Sequence, residues 1–259
     1  MGDFVRMAVA SAVLLALLQG FAAAWSWRAG RWAIADIVWG PGLAAVAILG
    51  LLTGDGGIVR RLVLVVIVGA WAARLAFHVW RRVRGHDEDD PRYVRMAEGR
   101  STTKMALSVF GIQGLTQWIV SLPLQLVAIT ADPRGITWSV TVVGALLATS
   151  GLVVEAVSDR QLEQYKRLDP RPLVMDRGLW AWSRHPNYFG DACVWVGVYV
   201  VACSTWPGQL TFLSPVVMIG LLVWGSGARL TERAMDGRPG VAEYRSRTSM
   251  FILWPPRSR

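Results

Sequence analysis

The stretch "ITWSVTVVGALLATSGLVVEAVSDRQLEQYK", residues 136–166, combines the two features that decide the fold. From Ile136 to Val154 it contains no charged residue, and about 20 apolar residues of helix are enough to cross the hydrocarbon core of a bilayer. From Glu155 onward the stretch becomes rich in charged side chains. We therefore expect a membrane helix over 136–157 that leaves the bilayer as an amphipathic extension.

The composition of the whole chain supports this interpretation. Of its 259 residues, 53% are hydrophobic, 17% are charged and 14 are tryptophan, whereas soluble domains contain about 25% charged residues. Long uncharged stretches alternate with arginine-rich ones, a pattern typical of a polytopic helical membrane protein. Arginines in cytoplasmic loops then explain the net charge of +9, so nucleic acid is not expected as a partner.

Seven segments have the length and hydropathy of membrane helices. They are predicted at 5–25, 33–53, 60–80, 104–130, 136–157, 190–205 and 209–227. The first could also be a cleaved signal peptide, but the Trp25-Ser26-Trp27-Arg28 sequence that follows favours a membrane helix with an aromatic end. The sixth is short and could extend backward through residues 187–189. The predicted fold class is an all-α integral membrane protein with seven transmembrane helices.

The basic residues define an orientation for these helices. Lys and Arg are concentrated in 81–104, in 158–189 and in the tail after the seventh helix. The opposite side has only Arg6, Arg60, Arg61 and Arg134. The positive-inside rule therefore predicts an N-terminus outside and a C-terminus in the cytoplasm. A soluble, charged ligand would have to bind on the cytoplasmic side.

The charged end of the opening stretch places several ionisable groups on one helical face. Glu155, Asp159 and Glu163 are spaced by four residues, and Lys166 continues close to that stripe. Intrahelical ion pairs on a helix leaving the bilayer are one explanation. The other is a functional cavity, because Glu155 lies inside the apolar boundary, where an ionisable group is costly.

Asp36 is a second ionisable group inside a predicted span. A carboxylate at a helix centre costs about 2.5–3.5 kcal/mol on insertion scales, and Pro41-Gly42 is expected to kink the helix just beyond it. Asp36 could line a cavity at this kink. It could equally be an interfacial residue that pairs with Arg28 or Arg31.

Gln113 and Gln117 lie one turn apart on the predicted fourth helix. Interhelical hydrogen bonding is the ordinary role of such amides in a membrane helix, and substrate contact is the alternative. The loop 81–100, which includes His86, mixes arginines with acids. Such runs are usually solvated, although closely spaced guanidiniums also bind phosphates.

The sequence "RGLWAWSRHPNYFGD", residues 177–191, predicts an anion site. Pro186 breaks regular helix and excludes His185 from the α region, so Arg184 and His185 are presented from a turn. The helix that follows would direct its N-terminus toward the same place. Asn187 and Asp191, one turn apart, can hydrogen-bond a sugar or an amide.

Two further features lie near the C-terminus. The basic tail contains Arg229, Arg233 and the stretch 243–248, which could meet anionic lipid or place Tyr244 against a base or ribose. Cys193 and Cys203 lie in one apolar run without a CxxC pattern or a neighbouring histidine. They are expected to be buried thiols, and no metal site is predicted.

The chain resembles the steroid 5α-reductase superfamily, in particular its bacterial membrane branch of formerly unknown function, with a 3-oxo-5α-steroid 4-dehydrogenase-like C-terminal domain. The resemblance rests on the Glu155…Asp159…Lys166 stripe, on "GLWAWSRHPNYFGD" (178–191) and on "RPGVAEYRSRTSMFILWPP" (238–256). Weaker similarities are "ADIVWGPG" (35–42) and "RLAFHVWRRVRGHDEDDPRYVRM" (74–96). Isoprenylcysteine and phospholipid methyltransferases share the Arg-His-Pro-x-Tyr-x-Gly motif.

The resemblance implies one seven-helix domain over 1–259, with substrate-side helices in 1–130 and a cofactor-binding part in 131–259. The cofactor would be NADPH, on the cytoplasmic side of a bacterial inner membrane. It would deliver a hydride to the β-carbon of a hydrophobic enone that enters from the bilayer. The implied cofactor contacts are Glu155, Asp159, Lys166, Trp182, Arg184, His185, Asn187, Tyr188, Asp191, Arg229, Arg233, Tyr244 and Arg247.

The chain departs from the steroid-reducing members of the superfamily in one respect. Those members carry an adjacent Gln-Glu pair in an N-terminal helix that acts on the substrate ketone, and the first four predicted helices contain no Gln-Glu dipeptide. Asp36, Gln113 and Gln117 are the catalytic candidates by position. The alternatives are an S-adenosylmethionine-dependent membrane methyltransferase and a non-catalytic lipid-binding or transport protein. The many arginines favour a polyphosphate cofactor.

Overall fold

The computed structural model describes residues 2–84, 89–225 and 227–257, without the side chain of Arg82. His86 lies outside this range. The α-helices are α1 (Gly2–Ala29), α2 (Ile34–Thr53), α3 (Ile58–Arg84), α4 (Pro91–Ala97), α5 (Thr102–Ala106), α6 (Ile112–Val120), α7 (Leu122–Val127), α8 (Trp138–Lys166), α9 (Pro186–Cys203), α10 (Leu213–Gly220), α11 (Ala228–Ala234) and α12 (Val241–Arg247). The only β-structure in the described ranges is an isolated bridge between Ser183 and Ser249. The all-α fold class is confirmed.

Among the described residues, five segments are long and apolar enough to cross a membrane. They are Gly2–Ala29, Ile34–Thr53, Ile58–Arg81, Gly135–Lys166 and Gly208–Ala234, and they coincide with five of the seven predicted spans. In the segment predicted at 104–130, the helix runs from α5 through a π-helical turn (Leu107–Gly111) into α6, and α7 follows after a break at Ser121. Pro123, in the first turn of α7, explains the break before it, because proline cannot continue a helix. The predicted sixth span is α9, with 18 residues.

The first of two compact units comprises residues 1–141 and 201–214. Here α2 packs against α3, and α1 packs against α2 and α6. The backbones of α2 and α3 approach closely at Gly40, where an added Cβ would lie 3.0 Å from the Ala72 Cα. Small residues at helix contacts are typical of membrane proteins, because van der Waals packing drives association there.

A buried arginine ties together the loops of this unit. The Arg60 side chain is 0% exposed and donates to the hydroxyl of Thr205 at 2.8 Å and to the carbonyl of Thr130 at 3.0 Å. Its Nε lies 3.5 Å from a carboxylate oxygen of Asp132. A buried charge needs such partners to offset its desolvation. Arg60, which the sequence analysis used only to assign orientation, therefore also holds these loops together.

The second compact unit comprises residues 142–200 and 215–259. Within it, α8 and α9 approach closely at glycines: a Cβ on Gly190 would lie 2.6 Å from both the Gly151 oxygen and the Glu155 nitrogen.

Candidate functional site

The Arg-His-Pro turn of the second unit is held by the C-terminal tail. The Arg184 N–H donates to the Ser249 carbonyl at 2.8 Å, and the Trp254 N–H donates to the Trp182 carbonyl at 3.1 Å. The Ser183 hydroxyl donates to the Phe251 carbonyl at 2.8 Å. Pro186 is the first residue of α9, as the sequence predicts. The turn and the tail therefore form one substructure.

Glu232 of α11 is the electrostatic centre of this substructure. Its Oε1 lies 3.0 Å from Arg184 Nε and 3.0 Å from His185 Nε2, and its Oε2 lies 2.9 Å from Arg245 Nε. The side chains of Arg184 and His185 are 10% and 3% exposed, so the carboxylate holds them in a largely dry setting. Glu232 is not among the site residues predicted from the sequence, where its only signal is an acid among the arginines of the tail.

Arg184 and His185 are further fixed by their other contacts. The Arg184 guanidinium donates to the carbonyls of Thr248 at 2.7 Å and Arg245 at 3.2 Å, at the C-terminal end of α12, where cations are favoured. The His185 ring stacks on Tyr188 with centroids 5.6 Å apart. Both predicted cofactor residues thus have protein partners that define their orientation.

A cavity of about 440 Å³ lies beside this cluster. Its lining residues are Arg184, Arg245, Ser246, Arg247, Thr248, Ser249, Met250, Ile252, Trp254, Pro255 and Arg257. Four guanidiniums and three hydroxyls make one part of the lining cationic and hydrogen-bonding, and these lining residues include no carboxylate. Apolar side chains form the rest. Such a lining suits an anion that carries a flat or apolar group.

A second cavity, of about 300 Å³, is lined by Arg229, Glu232, Arg233, Asp236, Arg245 and Met250. Arg245 contributes to both cavities. Its guanidinium lies 2.6 Å from a carboxylate oxygen of Asp236 in addition to its contact with Glu232. The structure therefore separates the predicted cofactor residues: Arg184 and Arg247 line the first cavity, and Arg229 and Arg233 line the second.

The acidic stripe of α8 divides into a buried and an exposed half. Glu155 is 5% exposed, beside Gly190 of α9, and Asp159 accepts a hydrogen bond from Asn187 Nδ2 at 3.2 Å. Glu163 binds Arg167 on the exposed surface at 2.7 Å. Two further predicted cofactor residues also differ in exposure: Asp191, on α9, is buried, and Lys166, at the end of α8, is exposed. Asp159 and Asn187 are thus brought together from distant positions.

Tyr244 of α12 is 3% exposed, and its hydroxyl donates to the Trp180 carbonyl at 2.6 Å. Burial raises the pKa of this hydroxyl, which keeps it a donor. The Trp180 indole in turn donates to the Ser158 carbonyl at 3.0 Å. These contacts link α12 to α8. The Tyr244 hydroxyl is therefore bound to the protein interior. Trp182, by contrast, is 46% exposed.

In the first unit, Asp36 occupies a polar cluster at the start of α2. Its carboxylate accepts hydrogen bonds from the Tyr93 hydroxyl at 2.6 Å and from the Arg92 guanidinium at 2.8 Å. Burial, followed by the charge of Asp36, raises the pKa of the Tyr93 hydroxyl. Arg28 and Arg31 were the partners expected for Asp36 from the sequence, and Tyr93 was not among them. Asp89 accepts from the Trp32 and Ala33 N–H groups beside this cluster.

The two predicted glutamines have different environments. Gln117 is 0% exposed; it donates to the Trp39 carbonyl at 2.7 Å and accepts from Gln19 Nε2 at 2.7 Å. These bonds join α1, α2 and α6 next to Pro41. They represent the interhelical role considered for this amide. Gln113 is half-buried, and its Oε1 has no hydrogen-bond partner among the described residues.

The long apolar helices with polar connections define the class of the protein: it is an integral membrane protein. The profile of the family described as "Protein of unknown function (DUF1295)" matches residues 22–248, and the chain belongs to this family. No curated protein and no solved structure matches the chain.

Proposed function

We propose that the protein is an NADPH-dependent membrane reductase that transfers a hydride to the C=C bond of a hydrophobic enone, steroid-like or isoprenoid. The observation that supports this proposal is the 440 Å³ cavity with four arginines in its lining, of which Arg184 and Arg245 bind Glu232 and Arg247 binds Asp176, both carboxylates lying outside the lining residues. NADPH carries three phosphate groups, which guanidiniums bind bidentately. S-adenosylmethionine, the cofactor of the alternative methyltransferase, has a cationic sulfonium and no phosphate, so this lining disfavours it.

The lining residues suggest a division of roles toward this cofactor. Arg257 is the proposed phosphate ligand together with Arg247, whose guanidinium also binds Asp176. Trp254 and Ile252 are the proposed apolar contacts. Arg184 would shape the cavity rather than bind phosphate, because Glu232 and two carbonyls occupy its donors. NADPH would supply the hydride when bound.

The Asp36 cluster is proposed to act on the substrate carbonyl. A ketone oxygen needs a hydrogen-bond donor, and the Asp36 carboxylate is an acceptor. The donor role therefore falls to Arg92, which is bound to Asp36, because the single hydroxyl proton of Tyr93 is already donated to that carboxylate. Asp36 would position Arg92, and the buried Gln117 would hold the neighbouring helices together.

The complete topology is also part of the proposal. The segments α5–α7 and α9 would enter the bilayer beside the five long apolar helices, giving seven spans with the C-terminus and the cofactor cavity on the cytoplasmic side of a bacterial inner membrane. A C-terminal green fluorescent protein fusion should be fluorescent, whereas a C-terminal alkaline phosphatase fusion should be inactive. The reverse result would contradict this orientation.

The cofactor assignment can be tested by titrating the purified protein with NADPH and with S-adenosylmethionine. We expect saturable binding of NADPH alone. Arg247→Gln should weaken NADPH binding about tenfold or more, since a hydrogen bond to a charged group contributes about 1.5–3 kcal/mol. Arg238→Gln, an exposed arginine outside the cavity lining, is the matched control and should have little effect.

Two results would contradict the proposal. Unchanged NADPH affinity in both Arg247→Ala and Arg257→Ala, two residues of the cavity lining, would show that the assigned pocket is wrong. Saturable binding of S-adenosylmethionine would favour the methyltransferase, and absence of any nucleotide binding would favour a lipid-binding or transport protein.

A further inference from the structure

The α11 helix presents two arginines that are available to bind an anion. Arg229 and Arg233 lie one turn apart and are exposed. Among the described residues neither forms an ion pair, although Glu232 and Asp236 belong to the same cavity lining. Both of those carboxylates are bound by Arg245. The two guanidiniums are therefore left to face an external partner.

An aromatic side chain indicates the level at which these arginines lie. The Arg229 guanidinium is 5.6 Å from the ring centroid of Trp224, which is 62% exposed. Trp224 belongs to the apolar stretch Gly208–Ala234, and tryptophan concentrates at the headgroup level of membranes. From this neighbour we expect the Arg229 side chain at the depth of lipid phosphates.

The second cavity provides room for a headgroup. Its volume is about 300 Å³, and Arg229 and Arg233 are both among its lining residues. Glu232 does not give this cavity a net negative charge, because Arg184 and Arg245 bind its carboxylate. Guanidiniums match phosphate oxygens in geometry as well as in charge.

We propose that Arg229 and Arg233 bind the phosphate diester of an anionic phospholipid, whose acyl chains lie along the exposed side chains of Trp224 and Val216. Val216 is 58% exposed. This site is independent of the reductase proposal, since it requires only a membrane protein and the α11 cavity. Each basic residue near a membrane surface contributes about 1 kcal/mol, which corresponds to about fivefold in affinity for each arginine.

The test is native mass spectrometry of the full-length protein released from nanodiscs that contain phosphatidylglycerol and phosphatidylcholine. Wild-type protein should retain phosphatidylglycerol preferentially. Arg229→Gln and Arg233→Gln should each weaken its binding about fivefold, and the double variant about 25-fold, while phosphatidylcholine binding stays unchanged. Arg238→Gln, which is exposed and outside this cavity lining, should behave as wild type.

Three results would overturn the proposal. The double variant could retain phosphatidylglycerol as wild type does. Inorganic phosphate could displace the lipid at comparable concentration, which would identify a free-phosphate site. The double variant could also lose NADPH affinity without losing lipid, which would assign both arginines to the cofactor. Loss of lipid with unchanged NADPH affinity supports the lipid site, whatever the outcome for the reductase.

Discussion

Replacing Glu232 by glutamine tests whether one carboxylate organises the Arg-His-Pro turn and the tail. Glu232 is 13% exposed and contacts Arg184, His185 and Arg245 at 2.9–3.0 Å. Removing one partner of a buried charge cluster costs about 3–5 kcal/mol. Glutamine keeps one acceptor oxygen, so we expect about 3 kcal/mol. For a protein of this size that corresponds to a decrease of roughly 6–12 °C in Tm.

The chain contains a matched control for this substitution. Asp236 binds the same Arg245 guanidinium at 2.6 Å but is 62% exposed. Because solvent screens such a pair, it contributes about 1 kcal/mol at most, and Asp236→Asn should lower the Tm by no more than about 4 °C. Thermal unfolding of both variants in one detergent provides the comparison.

The same variant should alter the cofactor cavity. Arg184 and Arg245 line the 440 Å³ cavity and would lose their shared acceptor, so NADPH binding should weaken in Glu232→Gln and change little in Asp236→Asn. Equal Tm values for the two variants would refute the central role of Glu232. Equal NADPH affinities of the two variants would show that the Glu232 ion pairs do not influence cofactor binding in the cavity.

Three further substitutions test the packing around the candidate sites. Gly190→Ala should destabilise the α8–α9 contact by about 1–3 kcal/mol, because its Cβ would lie 2.6 Å from backbone atoms. Gly69→Ala, with open space around its Cβ, is the control and should not lower the Tm. Equal melting curves for the two variants would contradict the close approach. Gly42→Ala should lower the Tm as well, because its Cβ would lie 2.3 Å from the Gln117 amide nitrogen; an unchanged Tm would show that this amide is not confined. Tyr244→Phe should cost about 1–3 kcal/mol. Because burial raises the pKa of that hydroxyl, its contribution is full below about pH 10 and is lost as the pH rises further; melting curves from pH 8 to 11 that fall in parallel for both proteins would contradict this.

Local features were predictable from the chain because they depend on near neighbours. The uncharged run from Ile136 to Val154 is helical in α8, and Pro186 begins α9, as proline at a first helical position favours. The break in 104–130 was not predicted. A hydropathy pattern alone does not reveal that the helix over 102–120 contains a π-helical turn, or that it breaks before Pro123.

The sequence by itself determined the membrane class, the helical content and the residue types available for anion binding. Only the tertiary structure decided which of them meet. Glu232 joins Arg184, 48 residues away, and His185, 47 residues away; Asp36 similarly meets Tyr93. The physical reason is that helix patterns depend on residues three or four apart. A buried charge, in contrast, needs a partner wherever packing provides one, and that position depends on the entire fold.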